Sequence, residues 1–568
     1  MLVRNNVNQS SPDSERQTRS TLGSRERAMQ PTPPLTTSRV PTPHHTTPAS
    51  MQRRGVLGIM SALLLIIFIL AGVRLAALAS ASNDELLVRV GNQQVVTLDL
   101  HQSLPISPDL LGTNVFPLSG TRSADNAQGF MDYSPPLTAG LTDAHITLLR
   151  FPGGKWGEEH SLSLDQLSAF STLLQETHAD GMVQAQLSGP IQGNPSDLTG
   201  VASRAAVAGR WVDFLNNPRS DQRTGKYAHA PFHPVKYWTV GDEPDTLINP
   251  ATGQKYLVKD YVNDFIQFST LMHKIDPHIQ VFGPDISEFY GPGAQGGGPS
   301  DAQGQLWMEG FLQGVGTYER AHNVVLLDGV SFHRYQFVDA AQTPYLFLSS
   351  TGEWNYLLPA LHQLIGQDLK RDVPIAITEI NTNQAQQATT RVPTPTRGLA
   401  ALWWADTLGT LMNSQVAYVA FASASDMDTP YPLFTTYDQQ PTPMFQVMDL
   451  FSHLQHNLIP LEVQRDPVSV YATQDAAHQA VSLLFINKSS TPQLAQISGA
   501  KNSFGSSSWN SLDVSLAGYA MVVITLHRAG NAEAYSFIAP AGNDSGTAPV
   551  MHTLCGHKTD PLATTIPC

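Results

Sequence analysis

Val235-Lys-Tyr-Trp-Thr-Val-Gly-Asp-Glu-Pro-Asp245 and Pro374-Ile-Ala-Ile-Thr-Glu-Ile-Asn381 decide how this chain is read. Each is an apolar, strand-favouring run that ends in acid, at Glu243 and at Glu379. A carboxylate at the end of an apolar strand is costly unless it has a partner or a use. In a barrel of parallel strands, the C-terminal strand ends carry the reacting groups. Two carboxylates placed there are the machinery of glycoside hydrolysis. The competing reading of Glu243 is local: Pro244 is a residue that often opens a helix, which makes Glu243 an ordinary helix-start acid.

Outward from these two segments, strand-like runs alternate with helix-like ones. Strands are predicted over 110–116, 144–151, 181–187, 235–240, 279–283, 329–335, 374–378 and 416–421. Helical spacing of apolar residues falls between them, over 163–174, 261–273 and 399–412. The first of these opens on a Ser163-x-x-Gln166 capping pattern. Eight such units predict an α/β chain folded as a (β/α)8 TIM barrel, over 108–435. The rival, an open doubly wound sheet, calls for a Gly-rich phosphate loop after the first strand, and none is present. Past residue 460 the period returns to two, over 469–473, 479–488, 513–516 and 519–526, which predicts a β-sandwich over 436–545. Residues 85–100 read as a hairpin about Gly91-Asn92. A hairpin does not stand alone, so the segment 82–107 is expected to join that sandwich. Residues 546–568 read as a loose tail.

The N-terminal part has a different character. Residues 1–54 are rich in Pro, Thr, Ser and Arg and predict a disordered cytoplasmic tail. After Arg53-Arg54, residues 55–73 carry no charge, which is long enough for a bilayer. A single transmembrane helix is therefore expected over 55–79, with the lipid bilayer as partner. The flanking arginines place the body outside the cell membrane, single-pass. Cleavage near Ala81 would make the protein secreted.

Charged residues are 14% of the 568, and the formal net charge is −14. A nucleic-acid partner needs a basic surface and is not expected. The two cysteines, Cys555 and Cys568, lie in the tail, so a thiolate metal cluster is excluded. They either pair in an oxidising compartment or stay free. No metal-ligand spacing accompanies the acids, and no metal or cofactor is expected. Trp156, just after Pro152-Gly-Gly154, either stacks on a sugar or packs in the core. Asp285 and Glu288 follow the fifth strand and either line a cleft or sit in a solvated loop.

These motifs resemble the clan of retaining (β/α)8 glycoside hydrolases with catalytic glutamates on strands four and seven. The resemblance spans roughly residues 85–540. Residues 237–245 are similar to its acid/base motif, and Ile377-Thr-Glu379 to its nucleophile motif. Leu149-Arg-Phe-Pro-Gly-Gly154 and Phe332-His-Arg-Tyr335 resemble the second- and sixth-strand motifs of its β-xylosidase, α-L-arabinofuranosidase and β-glucuronidase branches. Endoglucanase-like branches belong to the same clan. The resemblance implies Glu379 as nucleophile and Glu243 as acid/base, acting on an extracellular poly- or oligosaccharide. It implies that Arg150 hydrogen-bonds the nucleophile or forms a structural ion pair, and that Tyr335 touches Glu379. His333 orients a carboxylate, binds sugar or is a satisfied core histidine. Asp242 departs from the clan, which has Asn there to donate to a sugar hydroxyl. An ionised Asp only accepts, and it sits beside Glu243. The substrate reading leans to β-linked glucan or xylan, with an arabinofuranoside or a glucuronide left open. An inactive, carbohydrate-binding barrel is the alternative. A mainly structural envelope protein is the third reading, and it predicts a plugged barrel mouth.

Overall fold

Each of the eight strand segments carries a strand, and the eight close into a parallel barrel in the computed structural model of the chain. The structure describes residues 85–554 apart from 92–93, 118–132, 134, 190–200, 294–297, 338–342, 384–394, 426–429, 436–438, 462–465, 500–510, 530 and 540–548. The barrel strands are β1 (Gly112–Asn114), β2 (Leu148–Phe151), β3 (Asp180–Ala185), β4 (Tyr237–Val240), β5 (Gln280–Ile286), β6 (Gly329–Phe337), β7 (Ile375–Asn383) and β8 (Tyr418–Phe421). Each pairs in parallel with the next, and β8 closes on β1 through Ala420 and Phe421 opposite Gly112 and Thr113. Strand alternation fills the inside in layers. Leu148, Met182, Tyr237, Phe282 and Ala376 form an apolar plug. Two residues further along three of these strands stand Arg150, Gln184 and Thr378, all buried. The polar site therefore rests directly on an apolar floor.

The helices α1 (Pro135–Asp143), α2 (Leu164–Thr177), α3 (Val201–Asn216), α4 (Val258–Ile275), α5 (Trp307–His322), α6 (Trp354–Leu369), α7 (Arg397–Asn413) and α8 (Pro443–Ser452) surround the barrel. Helix α2 starts at the expected capping box, with Ser163 and Gln166 bonded reciprocally. Helix α4 buries Tyr261, Phe265, Phe268 and Met272, one stripe at helical spacing. Helix α7 is buried nearly all round, because it also supports the flanking sheets. Its Asp406 accepts from Tyr471 (2.8 Å) and pairs with Lys488 (3.1 Å) of that β region.

Two antiparallel sheets flank the barrel. The smaller has the order 511–516, 493–498, 85–90, 94–99, so the N-terminal hairpin pairs with a strand four hundred positions later in the chain. The larger runs 550–554, 532–538, 520–527, 480–487, 468–474, 457–459, 104–105. Leu86, Val88 and Ile497 of the first pack with Leu483, Val522 and Ile524 of the second in one core.

One expectation is overturned. No helix among the described residues is long and apolar enough to cross a membrane. The predicted single transmembrane helix is thereby corrected. The lipid-bilayer partner, the signal-anchor, and the single-pass cell-membrane localisation with its extracellular body are withdrawn with it. The longest described helix, α4, has 18 residues but carries Lys259, Asp260, Asp264 and Lys274, and hydrocarbon admits few such charges. The stretch 55–79, where that helix was expected, lies outside the described residues, as do 1–54, Cys555 and Cys568.

Candidate active site

Arg150 organises the mouth of the barrel. It ends an apolar strand, is fully buried, and reaches side chains from four other strand ends. Its Nη1 donates to Glu379 Oε1 (2.8 Å) and Asn114 Oδ1 (2.9 Å). Its Nη2 donates to Asp242 Oδ1 and Asp285 Oδ2, both at 2.8 Å. A buried guanidinium is strongly unfavourable alone, and the lowered carboxyls of Glu379 and Asp285 compensate it. Asn114 is oriented in turn by donating to the carbonyls of Thr378 (3.1 Å) and Ala420 (3.2 Å). Thr378 donates its hydroxyl to Asp285.

His333 lies between the two sequence-predicted glutamates. Its Nδ1 is 3.1 Å from Glu243 Oε1 and 3.6 Å from Glu379 Oε2. Its Nε2 is 3.5 Å from Asp285 and 3.8 Å from Asp242. Tyr335, two residues on along β6, donates its hydroxyl to Glu379 Oε2 at 2.8 Å. Glu243 sits just past β4 with φ +45°, an unfavourable backbone region for a residue with a side chain. Its amide donates to the carbonyl of Asp285 (2.9 Å), which helps hold that geometry. Such strain concentrates where function requires a fixed side-chain direction. Gly154 leaves room for Glu379, since a Cβ there would lie 2.9 Å from Oε1.

The charges separate three of the carboxyls. Burial raises Asp242 well above the usual carboxylate range, and the negative charge of Glu379 pushes it further. Burial also opposes ionisation of Glu379, but His333 and Arg150 outweigh it and the carboxyl is lowered. Asp285 is lowered too, because Arg150, His333 and the Thr378 hydroxyl overcome its burial. His333 is raised well above the usual imidazole range despite burial, held charged by Glu379 and Asp285.

The structure thus brings together Arg150, Asp242, Glu243, His333, Tyr335 and Glu379. It does not bring in the other two expected residues. Trp156 opens the short helix Trp156–Glu159, stacks on His160 (4.6 Å) and packs against the core. Glu288 pairs with Arg334 (2.7 Å), beside this cluster, and burial lifts its carboxyl to about 7 against the pull of Arg334. Sequence reasoning missed Asn114, Thr378 and Arg334 and left Asp285 undecided. The signal for Asp285 was an acid directly after an apolar strand, as in β4 and β7.

A cleft of about 850 Å³ opens beside the cluster, lined by Lys155, Glu158, Ser188, Asp242, Glu243 and Leu247 among others. The buried Glu158 carboxylate fixes its floor by accepting from the amides of Leu187 (3.1 Å) and Ser188 (2.7 Å). A second cavity of about 430 Å³, lined by Leu110, Met412 and Phe451, lies at the N-terminal strand ends, away from the carboxyls.

Asp242, His333 and Glu379 bring ligand-type atoms within 4.8 Å of one another. They do not fit a resident cation, because the Arg150 guanidinium already lies 2.8 Å from both acids and His333 is held protonated. A metal ion would face two positive groups at contact.

No protein-family model matches the chain, and no curated protein matches it. Solved structures do. An α-L-arabinofuranosidase from Thermotoga maritima has a TM-score of 0.54 at 14% identity, with 75% of this chain and 98% of that one covered. A family 51 α-L-arabinofuranosidase from Thermotoga petrophila gives 0.52 at 16%, covering 70% and 86%. A bifunctional glucanase-xylanase from a metagenome library gives 0.51 at 15%, covering 75% and 97%. The likeness is one of fold: a closed parallel barrel with flanking β-sheets.

Proposed function

We propose that this protein is a retaining glycoside hydrolase acting on poly- or oligosaccharide, with Glu379 as nucleophile and Glu243 as acid/base. The observation that carries the reading is the buried Arg150–Glu379 pair, which shares His333 with Glu243 at the barrel mouth. A nucleophile must be ionised, and Arg150, His333 and Tyr335 all favour the anion of Glu379. In the first step Glu379 attacks the anomeric carbon as the bond to the leaving oxygen breaks and Glu243 protonates that oxygen. In the second, Glu243 takes a proton from water, the water oxygen attacks the same carbon, and Glu379 is released. His333, in contact with both carboxylates, can respond to the charge that moves between them. The likeness to arabinofuranosidase and glucanase-xylanase structures supports a pentose or glucose polymer as substrate class.

A carbohydrate-binding protein without turnover is the second reading, and Asp242 is the observation behind it. Asp242 replaces the amide that the resembling clan uses as a donor. Burial favours the protonated form of this carboxyl, and a protonated carboxyl donates as that amide does, which weakens this alternative.

The test is hydrolysis of a panel of aryl glycosides and polysaccharides, with product anomers followed by NMR. Loss of activity in both Glu243→Ala and Glu379→Ala, with retained configuration in the wild type, is the expected result. Inverted products, or activity surviving Glu379→Ala, would overturn the assignment.

A further inference from the structure

Beyond the reacting groups, one exposed aromatic ring is stacked against a buried cation. Tyr290 stands four residues past β5, on the same face of the barrel as the carboxyls, and is 41% exposed. One face of its ring is covered by Arg334, whose Cζ lies 4.6 Å from the ring centroid. Arg334 is itself only 3% exposed. It donates to Glu353 through Nε (2.9 Å) and Nη2 (2.7 Å), and to Glu288 through Nη1 (2.7 Å). In sequence it lies between His333 and Tyr335, which touch Glu243 and Glu379 respectively. The ring is therefore coupled, through a clamped guanidinium, to the strand that positions both glutamates. A second exposed ring, Tyr356, adjoins Gly291 at this rim, since a Cβ on Gly291 would lie 2.9 Å from it.

The proposed roles of the two glutamates say which sugar meets this rim. The nucleophile contacts the ring that stays on the enzyme, and the hollow at Glu379 is lined by Asn114 and Phe116 at the β1 end, Tyr335 of β6 and Ser423 just past β8. The acid/base contacts the departing oxygen, so the leaving sugar lies beyond Glu243. Tyr290 follows β5, whose Asp285 carbonyl holds the Glu243 amide. We infer that Tyr290 is a stacking platform for the pyranose ring on the leaving-group side of the scissile bond of a β-linked oligosaccharide. The inference rests on the proposed hydrolase reading. A pyranose presents a patch of C–H groups that packs on an aromatic face. An aromatic ring already fixed by a cation loses little freedom on binding.

The test compares the full-length wild type with Tyr290→Ala, Tyr290→Phe and Tyr290→Leu, the last keeping bulk over Arg334 without an aromatic face. Substrates are cello- and xylo-oligosaccharides and the β-glycosyl fluorides of the same glycone, whose single-atom leaving group cannot reach the rim. The ratio of kcat/KM on oligosaccharide to kcat/KM on fluoride is expected to fall about tenfold in the Ala and Leu variants, mainly through KM, and to be kept in Phe. A purely structural tyrosine would affect both substrates equally, and an unchanged ratio overturns the inference. Should the wild type turn over neither these substrates nor any of the wider panel of aryl glycosides and polysaccharides, the hydrolase reading falls. Calorimetry with the same oligosaccharides then decides the platform. Affinity about tenfold weaker in Tyr290→Ala supports sugar stacking, and equal or absent binding overturns it.

Discussion

Replacing Asp242 with asparagine tests the charge state of the site while preserving its shape. Among the described residues, Asp242, Glu243, Asp285 and Glu379 pair with two cations, Arg150 and His333, so full ionisation would leave these six groups net negative in a buried setting. Asp242 is 3% exposed, and burial with the neighbouring Glu379 charge raises its carboxyl well above the usual range. In the pH window between its unfolded value, about 3.9, and that raised value, the folded protein holds a proton that the unfolded chain has released. The associated stability is fully present below the unfolded value and is lost as pH rises through the folded one. The slope is about 1.4 kcal/mol per pH unit inside the window. Asparagine carries no such proton. Its amide oxygen still accepts from Arg150 and its NH2 replaces the acid hydroxyl as donor. The variant should therefore gain on the wild type as pH rises from about 4, by up to that slope, and level off above the raised value. Urea unfolding at a series of pH values, followed by tryptophan fluorescence, reads this directly. A stability difference independent of pH, or one that shrinks with rising pH, would refute the argument that Asp242 holds the proton.

Arg150→Lys keeps the charge but cannot serve Glu379 on one nitrogen and Asp242 with Asp285 on the other. Losing one or two charge-assisted bonds, at roughly 1.5–3 kcal/mol each, should show in denaturant melts. On the proposed mechanism the lowered Glu379 carboxyl would rise, so the acidic limb of the rate profile should move to higher pH; a profile identical to wild type counts against that role. Gly154→Ala would place a Cβ 2.9 Å from Glu379 Oε1 at φ +99°, so a loss of about 1–3 kcal/mol in stability and a fall in kcat are expected. Wild-type stability and rate in that variant would mean the turn can shift freely.

Several parts of the molecule were legible in sequence because they depend on near neighbours. The continuous apolar runs ending at Val240 and at Thr378 marked strands, and Ser163 with Gln166 marked a helix start. Acids directly after apolar strands marked Glu243 and Glu379. Trp156 was not legible, because an aromatic residue after a Gly-Gly turn packs equally well on a sugar or on His160, and only the local helix chose. Arg334 was hidden because β6 alternates: His333 and Tyr335 reach Glu243 and Glu379, while the residue between them reaches Glu353. The expectation of a membrane helix rested on a local signal over 55–79 alone: no helix among the described residues is long and apolar enough to cross a membrane, and that stretch lies outside them.

By itself, the sequence determined the alternation of strands and helices, the β-rich C-terminal part and the two glutamates at strand ends, all properties of short-range pattern. Only the tertiary structure decided that Arg150 faces Asp242, Asp285 and Glu379 together, and that Asp285 is buried instead of standing in a solvated loop. The physical reason is closure. Four strand ends distant in the chain meet in one low-dielectric space only when β8 pairs with β1. Which carboxyl keeps its proton is then set by burial and by the few cations that share that space.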